Sequence, residues 1–308
     1  MRIANNAGRL ALVTRTGAVD VAAVSGGRFD ADPQKIYARW EEFQDWARKE
    51  KLPGGQPFTP ADLGSPAPAP AQLVAIGLNY RDHAAETGVT VPEAPTVFGK
   101  FASSLSGPHT TVGLPRGNVD WEAELAVVIG TTAAHVSEAE AAQHIAGYTA
   151  AQDLTERVLQ MSGPVPQFSL GKSHPGFTPL GPWLVTPDEI PDPGNLRLTC
   201  TLNGEVVQDG NTRDLVFPVA ALIARLSEVI TLFPGDVILT GTPAGVGWGR
   251  KPPRYLTPGD VLTTHIEDIG TLTQHFTPTP PARQVPTETM ATAQPRGPHH
   301  ESEYSAQL

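Results

Sequence analysis

Trp121-Glu122-Ala123-Glu124-Leu125-Ala126-Val127-Val128-Ile129-Gly130 is the stretch from which the fold is read. Its apolar second half marks a buried strand. In a strand, residues two apart share a face. Glu122 and Glu124 therefore project side by side where the strand enters the core. Two neighbouring carboxylates repel, and burial strengthens the repulsion. A shared proton, a basic partner or a metal ion resolves such a conflict. A solvent-facing strand edge is the other reading of a bare Glu-x-Glu, and the pattern alone does not decide.

A third carboxylate follows. Asp153 ends the strand-like segment Tyr148-Thr149-Ala150-Ala151-Gln152 and opens Asp-Leu-Thr-Glu-Arg-Val-Leu-Gln. It reads as a helix or turn cap, as a metal ligand, or as both, one oxygen for each task. A cluster of carboxylates alone suits a hard cation such as Mg2+, with Mn2+ next and Ca2+ behind.

Outward from these residues, further strands are read at 73–76, 147–152, 183–186, 196–202, 205–208, 236–240, 261–266 and 271–276. Asn203-Gly204 between two of them predicts a tight hairpin turn. Only two helices are credible in this region. One starts at Ser137, with Glu140 completing a capping box, and the other spans about 218–228. Many short strands with few helices predict a strand-rich α+β roll or sandwich, not a doubly wound nucleotide fold. Residues 1–52 read as a small α+β unit. It has strands at 10–14 and 19–24 and then a helix capped by Asp32, with Pro33 at its first position. Ile36, Trp40, Phe43 and Ala47 recur along that helix at helical spacing. A Pro/Gly/Ala-rich linker at 53–70 leads into the larger domain, 71–276. The Pro/Thr/Gln/Ser-rich tail, 277–308, reads as disordered, His299 and His300 included.

The 308 residues carry a net charge of −10, with 40% hydrophobic and 18% charged residues. Phosphate backbones and anionic lipid repel such a chain, which argues against nucleic-acid and membrane partners. No basic-then-apolar leader and no membrane-length apolar run is seen, so a cytoplasmic location is expected. Cys200, the single cysteine, excludes a disulfide within the chain and any zinc site built on cysteines, and is expected in the core. His109, His135, His144, His265 and His275 share no spacing and read as structural. His174, two residues after Lys172, is a candidate for the pocket wall.

The order of the motifs resembles the fumarylacetoacetate hydrolase superfamily. Gly77-Leu78-Asn79-Tyr80-Arg81-Asp82-His83-Ala84-Ala85-Glu86 is similar to the opening of its catalytic domain. Phe98-Gly99-Lys100, Glu122-Ala123-Glu124-Leu125, Asp153-Leu154-Thr155-Glu156-Arg157 with Gln160, Lys172, Pro179-Leu180-Gly181-Pro182, Asn203-Gly204-Glu205 and Thr240-Gly241-Thr242-Pro243-Ala244-Gly245-Val246-Gly247 follow in the family's order. The resemblance runs from about 73 to 276. It implies a mixed β-sandwich roll with a small N-terminal accessory domain, usually dimeric. It implies Mg2+ or a similar ion on Glu122, Glu124 and Asp153. It places His83 and Glu86 on a lid, for which Gly77 and Gly88 suit hinge positions. Lys172 joins that pair as a catalytic candidate, and Arg157, Gln160, Thr242 and Lys100 are candidates for holding an anionic oxo-acid.

These residue types suit the chemistry. A 1,3-dicarbonyl or 2-oxo acid chelates one cation, which polarises its carbonyl. Lys172, Arg157 and Lys100 offset the carboxylates, and backbone N–H groups of the loop around Thr242 can also reach an anion. His83 and Glu86, three apart, share a face of a helical turn, so the imidazole can activate water while Glu86 holds or receives a proton. The expected function is hydrolytic cleavage of a carbon–carbon bond in a β-diketo acid such as an acylpyruvate or fumarylpyruvate. A decarboxylase or isomerase of a 2-oxo acid or dienoate, and a non-catalytic binding protein on the same fold, stay open. Loops 161–171 and 246–256 are expected to form pocket walls.

Overall fold

Strand Ala123–Ile129 lies inside the larger of two main sheets, and every one of its residues is buried. The computed structural model describes residues 1–279. Leu125, Val127 and Ile129 join one apolar core, while Ala126 and Val128 join a second. The period-two alternation of a strand thus divides it between two cores, and the run is continuously apolar because both faces are covered.

The larger sheet has eleven strands. Its main path runs Gly17–Asp20, Arg9–Thr14, Arg2–Asn6, Thr178–Val185, Ile145–Gln152, Ala123–Ile129, Val237–Leu239, Leu73–Gly77 and Thr96–Gly99. Leu63–Gly64 and Leu105–Ser106 pair beside this path. The second sheet has five strands, in the order Glu205–Asn211, Arg197–Leu202, Val261–Ile266, Gly270–Pro278 and His109–Leu114. Most pairings are antiparallel, but Val237–Leu239 with Leu73–Gly77, Gly270–Pro278 with His109–Leu114, and Thr178–Val185 with Leu105–Ser106 are parallel. The first core fills the space between the sheets, where Leu125 and Val127 share a cluster with Leu198, Cys200, Leu262 and Leu272. The second core covers the outer face of the larger sheet with Tyr37, Trp40 and Phe43. The fold is the expected strand-rich α+β arrangement with mixed sheets.

Several local expectations hold. Asn203 (φ 54°) and Gly204 (φ 84°) are both left-handed, as a two-residue hairpin turn of type I′ needs. Asp32 accepts from Gln34 N at 2.9 Å and caps the next segment. That segment winds first as a 3-10 helix, Pro33–Arg39, and then as the α-helix Trp40–Lys49. Helix Val219–Ser227 lies where it is expected. Cys200 is fully buried, and burial pushes its thiol up to about 12.

Others are corrected. The strand expected at 19–24 stops at Asp20, whose side chain accepts from Ala23 N and caps the short helix Val21–Val24. A further strand, Arg2–Asn6, hydrogen-bonds to Thr178–Val185, so the N-terminal strands extend the larger sheet. The capping box forms, with Ser137 N and Oγ 3.1 and 2.5 Å from Glu140 Oε2. No α-helix follows it, because strand Ile145–Gln152 begins directly after the 3-10 turn Ala141–His144. The strand expected at 183–186 begins earlier, spanning Thr178–Val185. Thr277 and Pro278 still belong to strand Gly270–Pro278. The rest of the tail, with His299 and His300, lies outside the described residues.

Candidate active site

Two backbone contacts bring the three carboxylates together. Ala123 pairs with Gln152 in the sheet. Just beyond the pair, Asp153 N donates to Glu122 O at 2.9 Å, and Glu122 N donates to Gln152 Oε1 at 2.9 Å. One ligand oxygen each from Glu122, Glu124 and Asp153 then lies within 4.8 Å of the others. Their exposures are 6%, 1% and 1%, which rules out a solvated strand edge.

Three cations brace this cluster. Lys172 Nζ donates to Glu122 Oε2 (2.6 Å), Asp153 Oδ2 (2.6 Å) and Thr155 Oγ1 (2.8 Å). An ammonium has three donors, so all of them are committed. Arg157 donates from Nε to Asp120 Oδ2 at 2.9 Å and from Nη1 to Gln160 Oε1 at 3.1 Å. Its Nη2 sits 2.7 Å from both Asp120 Oδ2 and Glu122 Oε1, paired with each carboxylate. Lys100 binds Asp153 Oδ1 and donates to Phe177 O at 3.0 Å. Its side chain is fully buried behind Asp153 and does not line the cavity. The expected substrate contact of Lys100 is therefore corrected to a brace on Asp153.

The electrostatics divide the carboxylates. Burial pushes Glu122 up, but the ammonium of Lys172 and the guanidinium of Arg157 outweigh it and hold the group at about 2. Glu124 is raised well above the usual carboxylate range, first by burial and then by the charges of Asp153 and Glu122. Its Oε2 accepts from Gly241 N at 2.7 Å, a single bond that does not offset this. The lysines differ as well. Burial lowers Lys100 despite Asp153, with the Lys172 ammonium adding to the effect. Burial also opposes the charge on Lys172, but Asp153 and Glu122 together raise it.

His83 and Glu86 lie on helix Arg81–Thr87, one turn apart, with His83 Nδ1 3.2 Å from Glu86 Oε2. Glu86 Oε1 accepts from Gly245 N at 2.9 Å, so the carboxylate is fixed from both sides. Gly88 closes the helix in a left-handed conformation, φ 71°. A cavity of about 140 Å3 brings His83, Glu122, Glu124, Arg157, Gln160, Lys172 and Thr242 to one space. Both expected wall loops contribute, through Met161 and Phe168 and through Trp248.

Other expectations shift. The Thr242 hydroxyl donates to Ala123 O at 2.9 Å and accepts from Gln208 Nε2 at 2.8 Å, so its proton is committed inside the protein. The loop N–H groups do reach anions, but these are the protein's own carboxylates. Gly241 holds Glu124, Gly245 holds Glu86, and Gly247 and Trp248 hold Asp120. Gly241 has φ 101°, and a Cβ there would fall 2.7 Å from the Cβ of Asn79, so this loop position needs glycine. His174 does not line the cavity and packs against Phe177.

Sequence reasoning missed Asp120. It is fully buried and accepts from Trp121 N, Gly247 N, Trp248 N and Arg157 Nε. The signal was present. Asp120, Glu122 and Glu124 alternate at period two, so the acidic face starts one step earlier.

Comparison with known proteins agrees with this geometry. The model of the fumarylacetoacetate (FAA) hydrolase C-terminal domain matches residues 72–277. The chain belongs to the fumarylacetoacetate hydrolase family. It is 49% identical over 210 residues to the human mitochondrial oxaloacetate tautomerase FAHD2A, covering 68% of this chain and 67% of that one. It is also 49% identical over 214 residues to 2,4-didehydro-3-deoxy-L-rhamnonate hydrolase from Sphingomonas sp. strain SKA58, covering 68% and 75%. The crystal structure of maleylpyruvate hydrolase from Sphingobium sp. SYK-6, in complex with manganese(II) and pyruvate, aligns with a TM-score of 0.72 at 29% identity. It covers 91% of this chain and all of that one. The family's enzymes thus include tautomerases and hydrolases. The donor set of this chain fits a divalent cation: three buried carboxylates converge, and one of them is left with like charges and no cation of its own.

Proposed function

We propose that the protein is a metal-dependent hydrolase that cleaves a carbon–carbon bond in a β-diketo acid such as an acylpyruvate. One observation carries this reading. His83, braced by Glu86, lines the same small cavity as Glu122, Glu124 and Arg157. A base for water thus stands opposite a site for a cation and an acid. Mg2+ is the proposed ion and Mn2+ its nearest substitute, held by Glu122, Glu124 and Asp153. When bound, the ion supplies Lewis-acid polarisation of the substrate's carbonyl oxygens.

The chain's own residues account for binding and proton movement. Arg157 and the Gln160 amide line the cavity side by side, and both are assigned to the substrate carboxylate. With the Nδ1 proton of His83 directed at Glu86, Nε2 is the acceptor for a proton of water. The water oxygen adds to the carbonyl carbon farther from the carboxylate. The bond to the neighbouring CH2 breaks, and its electron pair becomes the enolate of pyruvate. The imidazolium of His83 returns a proton to that carbon. The products are pyruvate and a second carboxylic acid. Lys172 and Lys100 hold Glu122 and Asp153 in place throughout.

A 2-oxo acid isomerase or decarboxylase is the second reading. The likeness to an oxaloacetate tautomerase favours it, and it needs no attack by water. Incubation with Mg2+ and acetylpyruvate is expected to release acetate and pyruvate in equal amounts. Conversion of oxaloacetate with acetylpyruvate left intact would favour the second reading. Calorimetric titration with Mg2+ is expected to saturate, and a flat titration would sink both. We further propose a cytoplasmic homodimer, for which sedimentation is the test of assembly. Among the described residues no helix is long and apolar enough to cross a membrane.

A further inference from the structure

The cavity lining is of two kinds, charged and apolar. We infer that it takes monocarboxylic 2-oxo acids with an apolar tail and discriminates against chains that end in a second carboxylate. The inference rests on the oxo-acid reading of the site and narrows it. Fumarylpyruvate, with its terminal carboxylate, becomes a poor substrate.

Two observations lead there. First, beside the charged floor the cavity lining is largely apolar, a wall that includes Leu78, Val89, Met161, Phe168 and Trp248. Arg157 and Lys172 are the only arginine and lysine among the cavity residues, and both are paired with the floor carboxylates. The nearby N–H groups of Gly245, Gly247 and Trp248 are already bonded to Glu86 and Asp120. A methyl end would bury apolar surface against these side chains, whereas a carboxylate there would find neither an unpaired cation nor a free N–H.

Second, Leu78 is held in a left-handed conformation, φ 56°, that glycine adopts without steric cost. Asn79 locks the turn by donating to Thr240 O at 2.7 Å and Phe217 O at 3.1 Å. A branched apolar side chain thus sits in the wall against its own backbone preference. Strain of this kind is a mark of a side chain retained for what it touches.

The test is calorimetric binding to the Mg2+-loaded protein, with 2-oxohexanoate and 2-oxoadipate as probes. Both have six carbons in line and differ at the far end, methyl against carboxylate. The methyl-ended acid is expected to bind about tenfold tighter or better. Equal binding, or the reverse order, overturns the inference whether or not the protein turns anything over. Met161→Lys places a cation at the half-exposed edge of the wall and is expected to reduce that ratio to about threefold or less. An unchanged ratio in this variant removes the wall from contact with the tail. If the binding order holds while acetylpyruvate stays intact, the ligand class stands and the hydrolytic reading fails.

Discussion

The floor and the wall of the cavity are built on opposite principles. On the floor, every charged group but Glu124 is ion-paired, and side chains from four separate stretches hold one another: Lys100, Asp120 to Glu124, Asp153 to Arg157, and Lys172. The wall is apolar and partly open, with Met161 47% and Trp248 41% exposed. A change on the floor unbalances several buried charges together, whereas a change on the wall alters one packing surface. In the reading proposed above, the floor holds the cation and the acid, and the wall sets substrate preference. Relatives that share the floor can differ in what they accept.

The largest break in this contrast is Lys172→Met. It removes the ammonium shared by Glu122 and Asp153 and leaves both buried with less compensation. Losing one partner of a buried pair costs about 3–5 kcal/mol. In a chain of this size that corresponds to a fall in Tm of roughly 10 °C, measured by thermal denaturation without added cation. A variant as stable as the parent would mean that the floor is not a mutually dependent unit. Next in size is His83→Ala, which touches no floor carboxylate through a hydrogen bond. Turnover of acetylpyruvate is expected to fall about 10²–10⁴-fold, with Mg2+ affinity from calorimetry unchanged. Loss of the bound ion in that variant would assign His83 to the metal site instead.

The floor was more legible in the sequence than the wall, for a physical reason. Charged groups cannot be buried singly, so Glu122, Glu124 and Asp153 call for partners, and the resemblance of the motif order to the family pointed to Arg157 and Lys172. Where the reading failed, it failed on three-dimensional direction. Lys100 was given to the substrate, but its position behind Asp153 depends on where strand Thr96–Gly99 ends. The loop around Thr242 carries the expected N–H donors, but their targets, Glu124, Glu86 and Asp120, become neighbours only through long-range packing. The wall has no periodicity at all. Leu78, Val89, Met161, Phe168 and Trp248 come from separate loops and short helices, and no spacing rule joins them. In the fold, the buried strand and the hairpin were read from local pattern alone. The helix expected after Ser137 was lost because the sheet claims the residues that follow.

A smaller effect separates two carboxylates on the same floor by pH. Glu124 binds its proton more tightly folded than unfolded. Its contribution to stability is therefore full below the ordinary carboxylate range and is lost as pH rises through its elevated folded value. Glu122 has the opposite sign. Its contribution is full above the ordinary range and is lost as pH falls toward about 2. Without added cation, Glu124→Gln is expected to raise Tm at pH 8 by roughly 2–4 °C, the shift that ~1 kcal/mol gives here. It should leave Tm near pH 4 almost unchanged and abolish the gain in Tm that Mg2+ gives the parent. A variant that loses stability at pH 8 would show that the Glu124 charge is compensated without a cation.

The finest test lies on the wall, where two small terms oppose each other at Leu78. Its left-handed backbone costs about 1–2 kcal/mol relative to glycine. Its half-buried side chain returns roughly 1 kcal/mol through partial burial. Leu78→Gly is therefore expected to leave stability within about 1 kcal/mol of the parent, read as a Tm shift under roughly 4 °C. Ligand preference should still move, because the wall loses a surface for the tail. Affinity for 2-oxohexanoate should fall a few-fold while that for 2-oxoadipate holds. A large loss of stability with unchanged preference would make Leu78 a structural residue and return the choice of substrate to the floor.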